Sequence, residues 1–198
     1  MGQTNQEITQ LIGSRICHDL VSPIGAIGNG LELMQLDGTP VTPEITLIMD
    51  SLHNANARIR FFRFAFGLAT EGQAVGHSDI LKTLAAIEIG GRFTYRWDRP
   101  KDLSRIETRQ VFLALMCLET CLVRGGEISL TCGDGRWHLS GTGPRIVWDA
   151  ALWDPLCRGQ SPEATPNNVQ FALLPEALRA SKRSLTAECR ETAVSLWF

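Results

Sequence analysis

Apolar residues recur at every third or fourth position over the first third of the chain, in two separate stretches. Because an α-helix turns once in about 3.6 residues, this spacing predicts two long helices between residue 5 and about residue 69. The segment 37–43 contains two prolines and a glycine and separates the helices. The apolar positions are Ile8, Ile12, Ile16, Leu20, Ile24, Ile27, Leu31 and Met34 in the first helix, and Ile45, Ile48, Leu52, Ala55, Ile59, Phe62, Phe66 and Ala69 in the second.

The second helix has clear start and stop signals. Thr42 is a typical N-cap residue, Pro43 suits the first helical position, and Glu44 favours the positive end of the helix dipole. Gly67 weakens the helix near its end. The gaps between its apolar residues alternate between three and four, which is the spacing of a heptad seam.

Together the two helices predict an antiparallel hairpin, and a single hairpin leaves its apolar seam half in water. Pairing with a second hairpin covers the seam, so we expect a homodimer held by a four-helix bundle. The alternative is that the C-terminal half of the same chain covers the seam.

From about residue 77 the pattern changes to interleaved helices and strands, with turn residues between them. This predicts an α+β fold: a helical hairpin that forms a dimeric four-helix bundle in residues 1–72, followed by an α/β lobe in residues 77–198. Trp148, Trp153 and Trp197 are expected in the core of the lobe. The predicted helices are 79–88, 104–123, 150–157 and 169–180, and the predicted strands are 92–97, 127–132, 137–141, 185–189 and 193–198.

Composition narrows the class of protein. Hydrophobic residues make up 44% of the chain, enough for a core, and 19 basic against 21 acidic residues leave a net charge of −2. Proteins built to bind nucleic acid or anionic membranes carry a basic excess, so neither partner is expected. No apolar run reaches the roughly 18 residues of a membrane span and no secretory signal is evident, so we expect a cytoplasmic protein. The six cysteines lack metal-binding spacing and are expected to be free thiols.

Of the four histidines, His18 has the setting of a functional residue. It lies on the face of the first helix opposite the apolar series, and Pro23, inside the same helix, is expected to bend it. An exposed imidazole is a nucleophile near neutral pH and forms a labile phosphohistidine. Its neighbours on that face are small or polar: Ser14, Arg15, Ser22, Gly25 and Asn29.

The residues around His18 resemble a known family. His-Asp-Leu-Val-Ser-Pro at 18–23 resembles the phosphoacceptor helix of histidine kinases, and the segments 14–30 and 57–67 are similar to the ChpT histidine phosphotransferases of alphaproteobacteria. The resemblance implies a homodimeric bundle followed by a degenerate histidine-kinase-ATPase-like α/β sandwich. It also implies a phosphorelay in cell-cycle regulation, with uptake from the receiver domain of a CckA-like hybrid kinase and delivery to CtrA-like and CpdR-like response regulators.

The same resemblance suggests roles for individual residues. His18 is the expected phosphoacceptor, and Asp19 orients the imidazole or tunes its basicity. Arg15 steadies phosphate charge, meets the receiver or is merely solvated. A docking surface is expected from Ser22, Gly25 and Asn29, flanked by Leu11 and Val21. The receiver supplies Mg²⁺, so no cofactor or metal is expected in this chain.

The lobe departs from the kinase pattern where a kinase binds ATP. The two asparagines of the kinase motif fall on Ala114 and Leu118, and leucine offers no oxygen to Mg²⁺. The adenine-binding aspartate falls on Leu139, and the loop 158–168 lacks a Gly-rich phosphate cradle. We therefore expect a lobe without nucleotide. The alternatives are an active ATP-dependent histidine kinase, a non-catalytic receiver-binding regulator, and an unrelated α/β enzyme, for which no nucleophile–base pair is found.

Overall fold

A computed structural model describes residues 5–99 and 101–198, with side chains from residue 8 onward. Helix α1, Asn5–Leu36, and helix α2, Pro43–Phe66, form the antiparallel hairpin, which confirms both predicted helices. The Thr42 hydroxyl accepts a hydrogen bond from the Ile45 amide at 3.4 Å, as expected of an N-cap. Helix α1 continues through Pro23, and the predicted bend there stays a prediction.

The contact between α1 and α2 differs from the predicted seam. Gln10 and Cys17 are the buried residues of α1, and Gly13 meets α2 so closely that a Cβ there would lie 2.8 Å from the Phe66 carbonyl oxygen. Small and polar residues therefore form the contact along residues 10–17 of α1. Most of the predicted seam remains 42–55% exposed, and we call these residues the α1 stripe: Ile8, Ile12, Ile16, Leu20, Ile27 and Met34.

The rest of the chain forms one mixed sheet with helices packed against it. The five-stranded sheet has the order β2-β4-β5-β7-β6, in which only β2 and β4 are parallel. The predicted elements are confirmed to within a few residues, and the short pair β1 and β3 was not predicted. The helices are α3 His77–Glu88, α4 Arg105–Cys121, α5 Ala150–Cys157 and α6 Val169–Ala180. The strands are β1 Ala74–Val75, β2 Phe93–Asp98, β3 Leu103–Ser104, β4 Gly126–Gly133, β5 Arg136–Thr142, β6 Thr186–Cys189 and β7 Ala193–Trp197.

Helix α4 forms the centre of the lobe's core, as its nearly continuous apolar sequence predicts. The run 111–115 is fully buried. Trp153 is also fully buried, and Trp148 stacks on it with ring centroids 4.6 Å apart, in agreement with prediction. Trp197 was assigned wrongly to the core. Its neighbour Leu196 points inward, so by strand alternation Trp197 faces the other side of the sheet, where it stacks on His138.

Helix α2, the second helix of the hairpin, packs against the lobe. Phe61 and Phe64 pack against Phe112 of α4, with ring centroids 5.0 and 4.9 Å apart. The buried Arg105 guanidinium donates to the carbonyls of Phe64 and Arg63 at the end of α2. Burial lowers the pKa of Arg105 to about 10, so it remains a cation at neutral pH. The lobe thus covers one face of α2 and shares its core with it, whereas the α1 stripe stays uncovered within the chain.

Candidate functional site

His18 stands on the open face of the hairpin. Its side chain is 82% exposed. With about 100° of rotation per residue, Ile16 and Ile27 of the α1 stripe lie roughly 160–180° around the helix from it. The structure therefore places the imidazole where the sequence predicts it, reachable by a partner from outside the hairpin.

A short hydrogen-bonded chain holds the imidazole. His18 Nδ1 lies 3.1 Å from Asp19 Oδ1, and Arg15 Nε donates to Asp19 Oδ2 at 2.7 Å. The hydrogen bond with His18, and then that with Arg15, lowers the pKa of the Asp19 carboxyl, which is therefore ionised at neutral pH. Because a carboxylate only accepts hydrogen bonds, the Nδ1 of the neutral ring carries the proton and Nε2 keeps its lone pair. Nε2 is the nucleophilic atom of this site.

The residues proposed for docking lie beside His18 along the same helix face. Ser22 and Asn29 are exposed, and Gly25 is half-buried. A Cβ added at Gly25 would meet nothing within 4 Å, so packing does not require glycine there. Leu11 and Val21 are 37% and 42% exposed and flank the face as apolar contacts. The face is open and shallow enough for a second protein.

Ser14, predicted as part of the same polar face, has a different task. Its hydroxyl accepts a hydrogen bond from the Leu68 amide at 2.7 Å, and the Gln10 side chain accepts one from the Ala69 amide at 3.0 Å. Both bonds tie the chain that follows α2 to α1. Ser14 therefore supports the hairpin below the site and does not extend the docking surface.

Two arginines, Arg63 and Arg105, meet at the end of α2, and no sequence pattern singles them out. Burial raises the pKa of the Cys17 thiol, and the positive charge of Arg63 on α2 opposes that rise. The Arg105 guanidinium, from the lobe, donates hydrogen bonds to the carbonyls of Arg63 and Phe64. An arginine in the first turn of a buried helix carries no sequence signal of such a contact.

Buried apolar side chains fill the lobe at the positions that align with the nucleotide-binding motifs of kinases. Ala114, Leu118 and Leu139 are fully buried. The Leu118 side chain lies directly against Gly141, and a Cβ on Gly143 would lie 3.2 Å from Leu122. The glycines that resemble an adenine-binding turn are thus covered by core leucines.

Residues 5–99 and 101–198 contain no group of three or more His, Cys, Asp or Glu side chains arranged to hold a metal ion. Among the same residues, no helix is long and apolar enough to cross a membrane. The six cysteines are free, and Cys157 and Cys189 are exposed.

Comparison with known proteins identifies the family. Residues 78–193, more than half of the chain, match the family model described as histidine phosphotransferase C-terminal domain. A protein of Brucella abortus (strain 2308) named protein phosphotransferase ChpT is 32% identical over 143 residues, which make up 71% of this chain. The chain belongs to the histidine phosphotransferase family.

The two matched proteins differ in how much of their own length is covered. The aligned segment spans 66% of the Brucella protein, just under two thirds of its length. A solved structure described as the 1.7 Angstrom structure of a bacterial phosphotransferase superimposes with a TM-score of 0.68 at 23% identity, over 100% of this chain and 98% of that one. This likeness shows that this histidine phosphotransferase shares the fold of that protein.

The family model matches the lobe of this histidine phosphotransferase and ends short of its hairpin. His18 lies outside the matched residues. Its assignment as the reactive residue therefore depends on its exposure, on the bond to Asp19 and on the motif at 18–23. These observations carry the functional proposal.

Proposed function

We propose that this histidine phosphotransferase takes a phosphoryl group from the aspartyl phosphate of one receiver domain onto His18 and passes it to the aspartate of another. The observation that carries the proposal is the 82% exposed imidazole whose Nδ1 is occupied by Asp19 and whose Nε2 is free. Transfer between two proteins needs exposure, because the aspartate arrives on a separate chain. Family membership supports the reaction class.

The proposed uptake step moves no proton. The Nε2 lone pair of His18 attacks the phosphorus of the aspartyl phosphate while the acyl oxygen–phosphorus bond breaks, and the electron pair returns to the receiver's carboxylate. The product ring is phosphorylated at Nε2, still protonated at Nδ1 and positively charged. Asp19, 3.1 Å from Nδ1, stabilises that charge. Delivery is the same step in reverse.

ATP is not the phosphoryl donor in this proposal. A Mg²⁺–ATP site needs oxygen ligands and space, and the aligned positions Ala114 and Leu118 offer neither, being fully buried. The covering of Gly141 by Leu118 closes the same region. The Mg²⁺ that assists the transfer belongs to the receiver.

We further infer that the protein works as a homodimer. Besides the α1 stripe, Ile48 and Phe62 of α2 are 46% and 37% exposed, and helix rotation places them about 40° apart on one face of α2. A monomer rarely exposes so long an apolar face, and a second hairpin covers it as a four-helix bundle. This face lies away from His18, so each protomer keeps its site open.

The proposed partners follow the resemblance drawn from the motifs. They are the receiver domain of a CckA-like hybrid kinase as donor, and CtrA-like and CpdR-like response regulators as acceptors, in a cytoplasmic relay that serves cell-cycle regulation. The open face formed by Ser22, Gly25 and Asn29 supports docking of a receiver beside His18.

Transfer of label from a phosphorylated receiver tests the site. With a ³²P-labelled CckA-like receiver, the wild-type protein takes up acid-labile label, and His18→Ala takes up none because the nucleophile is gone. His53→Ala, which removes another exposed histidine of the hairpin, transfers normally. Equal labelling of His18→Ala would show a different acceptor. Labelling from Mg²⁺–ATP alone would show a kinase, and receiver binding without labelling would show a regulator.

A glycine substitution tests the docking surface. Gly25→Ala raises the melting temperature, because alanine favours a helix by about 1 kcal/mol over glycine. The same methyl group slows transfer about tenfold, because it projects from the docking face about 20° from His18. Gly28→Ala is the matched control, since Gly28 is equally open but lies about 80° around the helix and outside the α1 stripe. It gains stability and keeps its rate. Full activity of Gly25→Ala would place the receiver elsewhere.

A further inference from the structure

Arg15 is linked to His18 only through Asp19. One helical turn separates Arg15 from Asp19, and the Arg15 Nε to Asp19 Oδ2 distance is 2.7 Å. The other carboxylate oxygen, Oδ1, lies 3.1 Å from His18 Nδ1. Both oxygens of Asp19 are thus engaged, one by the cation and one by the imidazole. This juxtaposition leaves the carboxylate a single orientation in which both bonds are made.

The link matters because all three side chains stand in solvent. Arg15 and Asp19 are 77% and 48% exposed. An exposed aspartate without partners samples several rotamers, and His18 loses its Nδ1 acceptor whenever the carboxylate turns away. The ring is then free to carry its proton on Nε2, which removes the outward lone pair that the transfer needs.

We propose that Arg15 is a positioning residue: it holds Asp19 so that the His18 ring keeps its proton on Nδ1 and presents Nε2 to the incoming phosphoryl group. The inference rests on the proposed function, in which His18 is the acceptor. The positioning role differs from the two direct roles that the charge of Arg15 suggests, which are contact with the phosphate and contact with the receiver. A residue that acts through Asp19 changes the rate at saturating receiver and leaves the affinity for the receiver unchanged.

A double-substitution cycle on labelled transfer distinguishes these roles. Arg15→Gln lowers the saturating rate about two- to fivefold, the range expected for losing an exposed ion pair, and leaves the half-saturating receiver concentration unchanged. In an Asp19→Asn background, Arg15→Gln has no further effect, because the residue through which it acts is gone. If the two effects multiply, or if Arg15→Gln raises the half-saturating concentration, Arg15 contacts the receiver or the phosphate and the proposal is wrong.

A matched control and a second readout complete the test. Arg190→Gln breaks a comparable exposed pair, Arg190 Nε to Glu188 Oε1 at 2.9 Å, far from the site, and leaves transfer unchanged. In the free protein, ¹⁵N resonances of the His18 ring report its tautomer without any reaction. Arg15→Gln shifts them toward a mixture of the two tautomers, and unchanged resonances would overturn the proposal. Persistent labelling of His18→Ala would refute the acceptor assignment while these resonances still report on Arg15.

Discussion

We expect that replacing both Ile12 and Ile16 by glutamate converts the proposed dimer, of twice 21.8 kDa, into a monomer. These residues are 54% and 55% exposed in the single chain and lie in the middle of the α1 stripe. Burial of an isoleucine side chain contributes about 1.5–3 kcal/mol, and the dimer buries four of them. Their loss, with charges added in the seam, raises the dissociation constant by about four orders of magnitude or more.

Light scattering across a concentration series measures this change. Leu11→Glu is the control, because Leu11 is also exposed on α1 but lies about 20° from His18 around the helix. It leaves the mass at the dimer value. A wild-type mass of 21.8 kDa at all concentrations, or a dimer that survives both glutamates, would remove the four-helix bundle from the proposal.

The largest effect on stability is expected from Phe61→Ala. Phe61 is fully buried, and its ring lies 5.0 Å from that of Phe112 across the joint between hairpin and lobe. Truncating a buried phenylalanine to alanine costs about 3–5 kcal/mol, because apolar contacts are lost and a cavity remains. The free energy of unfolding falls by this amount, and the hairpin loses one of its two ring contacts with Phe112 of the lobe.

Urea unfolding followed by circular dichroism measures the loss, and the neighbouring residue provides the comparison. Phe62 is 37% exposed, with its ring 5.7 Å from that of Phe66. Phe62→Ala therefore costs less, and its cost depends on protein concentration, since Phe62 is buried only in the proposed dimer. Equal losses for the two variants would mean that Phe61 does not hold the joint together.

Several elements of the lobe follow from local sequence signals alone. The helices at 150–157 and 169–180 were predicted with the boundaries that the structure has. The turn between β4 and β5 contains Gly133-Asp134-Gly135, a sequence typical of a hairpin turn, and in the structure both Asp134 and Gly135 have positive φ, as a tight hairpin turn requires. Such signals are local, because a few adjacent residues suffice to set the backbone conformation.

Other features depended on contacts between distant residues and were missed or misjudged. The pairing of β1 with β3 involves two residues on each side, too few for any periodicity. The contact between α1 and α2 includes Gln10 and Cys17, which lie outside the apolar series and which no single-helix pattern marks as contact residues. The expectation that Trp197 lies in the core is wrong, because its strand turns it to the outer face beside His138.

Some features of the candidate site were likewise predictable from the sequence, and others were not. The periodicity of α1 predicted that His18 faces away from the apolar series, and the structure confirms its exposure. The orientation of the ring was beyond the pattern, since the bonds from Asp19 to His18 and Arg15 depend on side-chain rotamers. The glycine at 25 was likewise identified as a small residue, but its open surroundings are a property of the folded hairpin.

The amino-acid order by itself determined the helices and most strands of this phosphotransferase, together with the helix face on which His18 stands. It determined them because helix and strand periods, caps and turns are set by neighbouring residues. Only the tertiary structure decided which apolar face the chain leaves uncovered, how leucines close the region that aligns with a nucleotide site, and that Asp19 holds the imidazole while Arg15 holds Asp19. Those features depend on distances between side chains, which are settled when the elements pack.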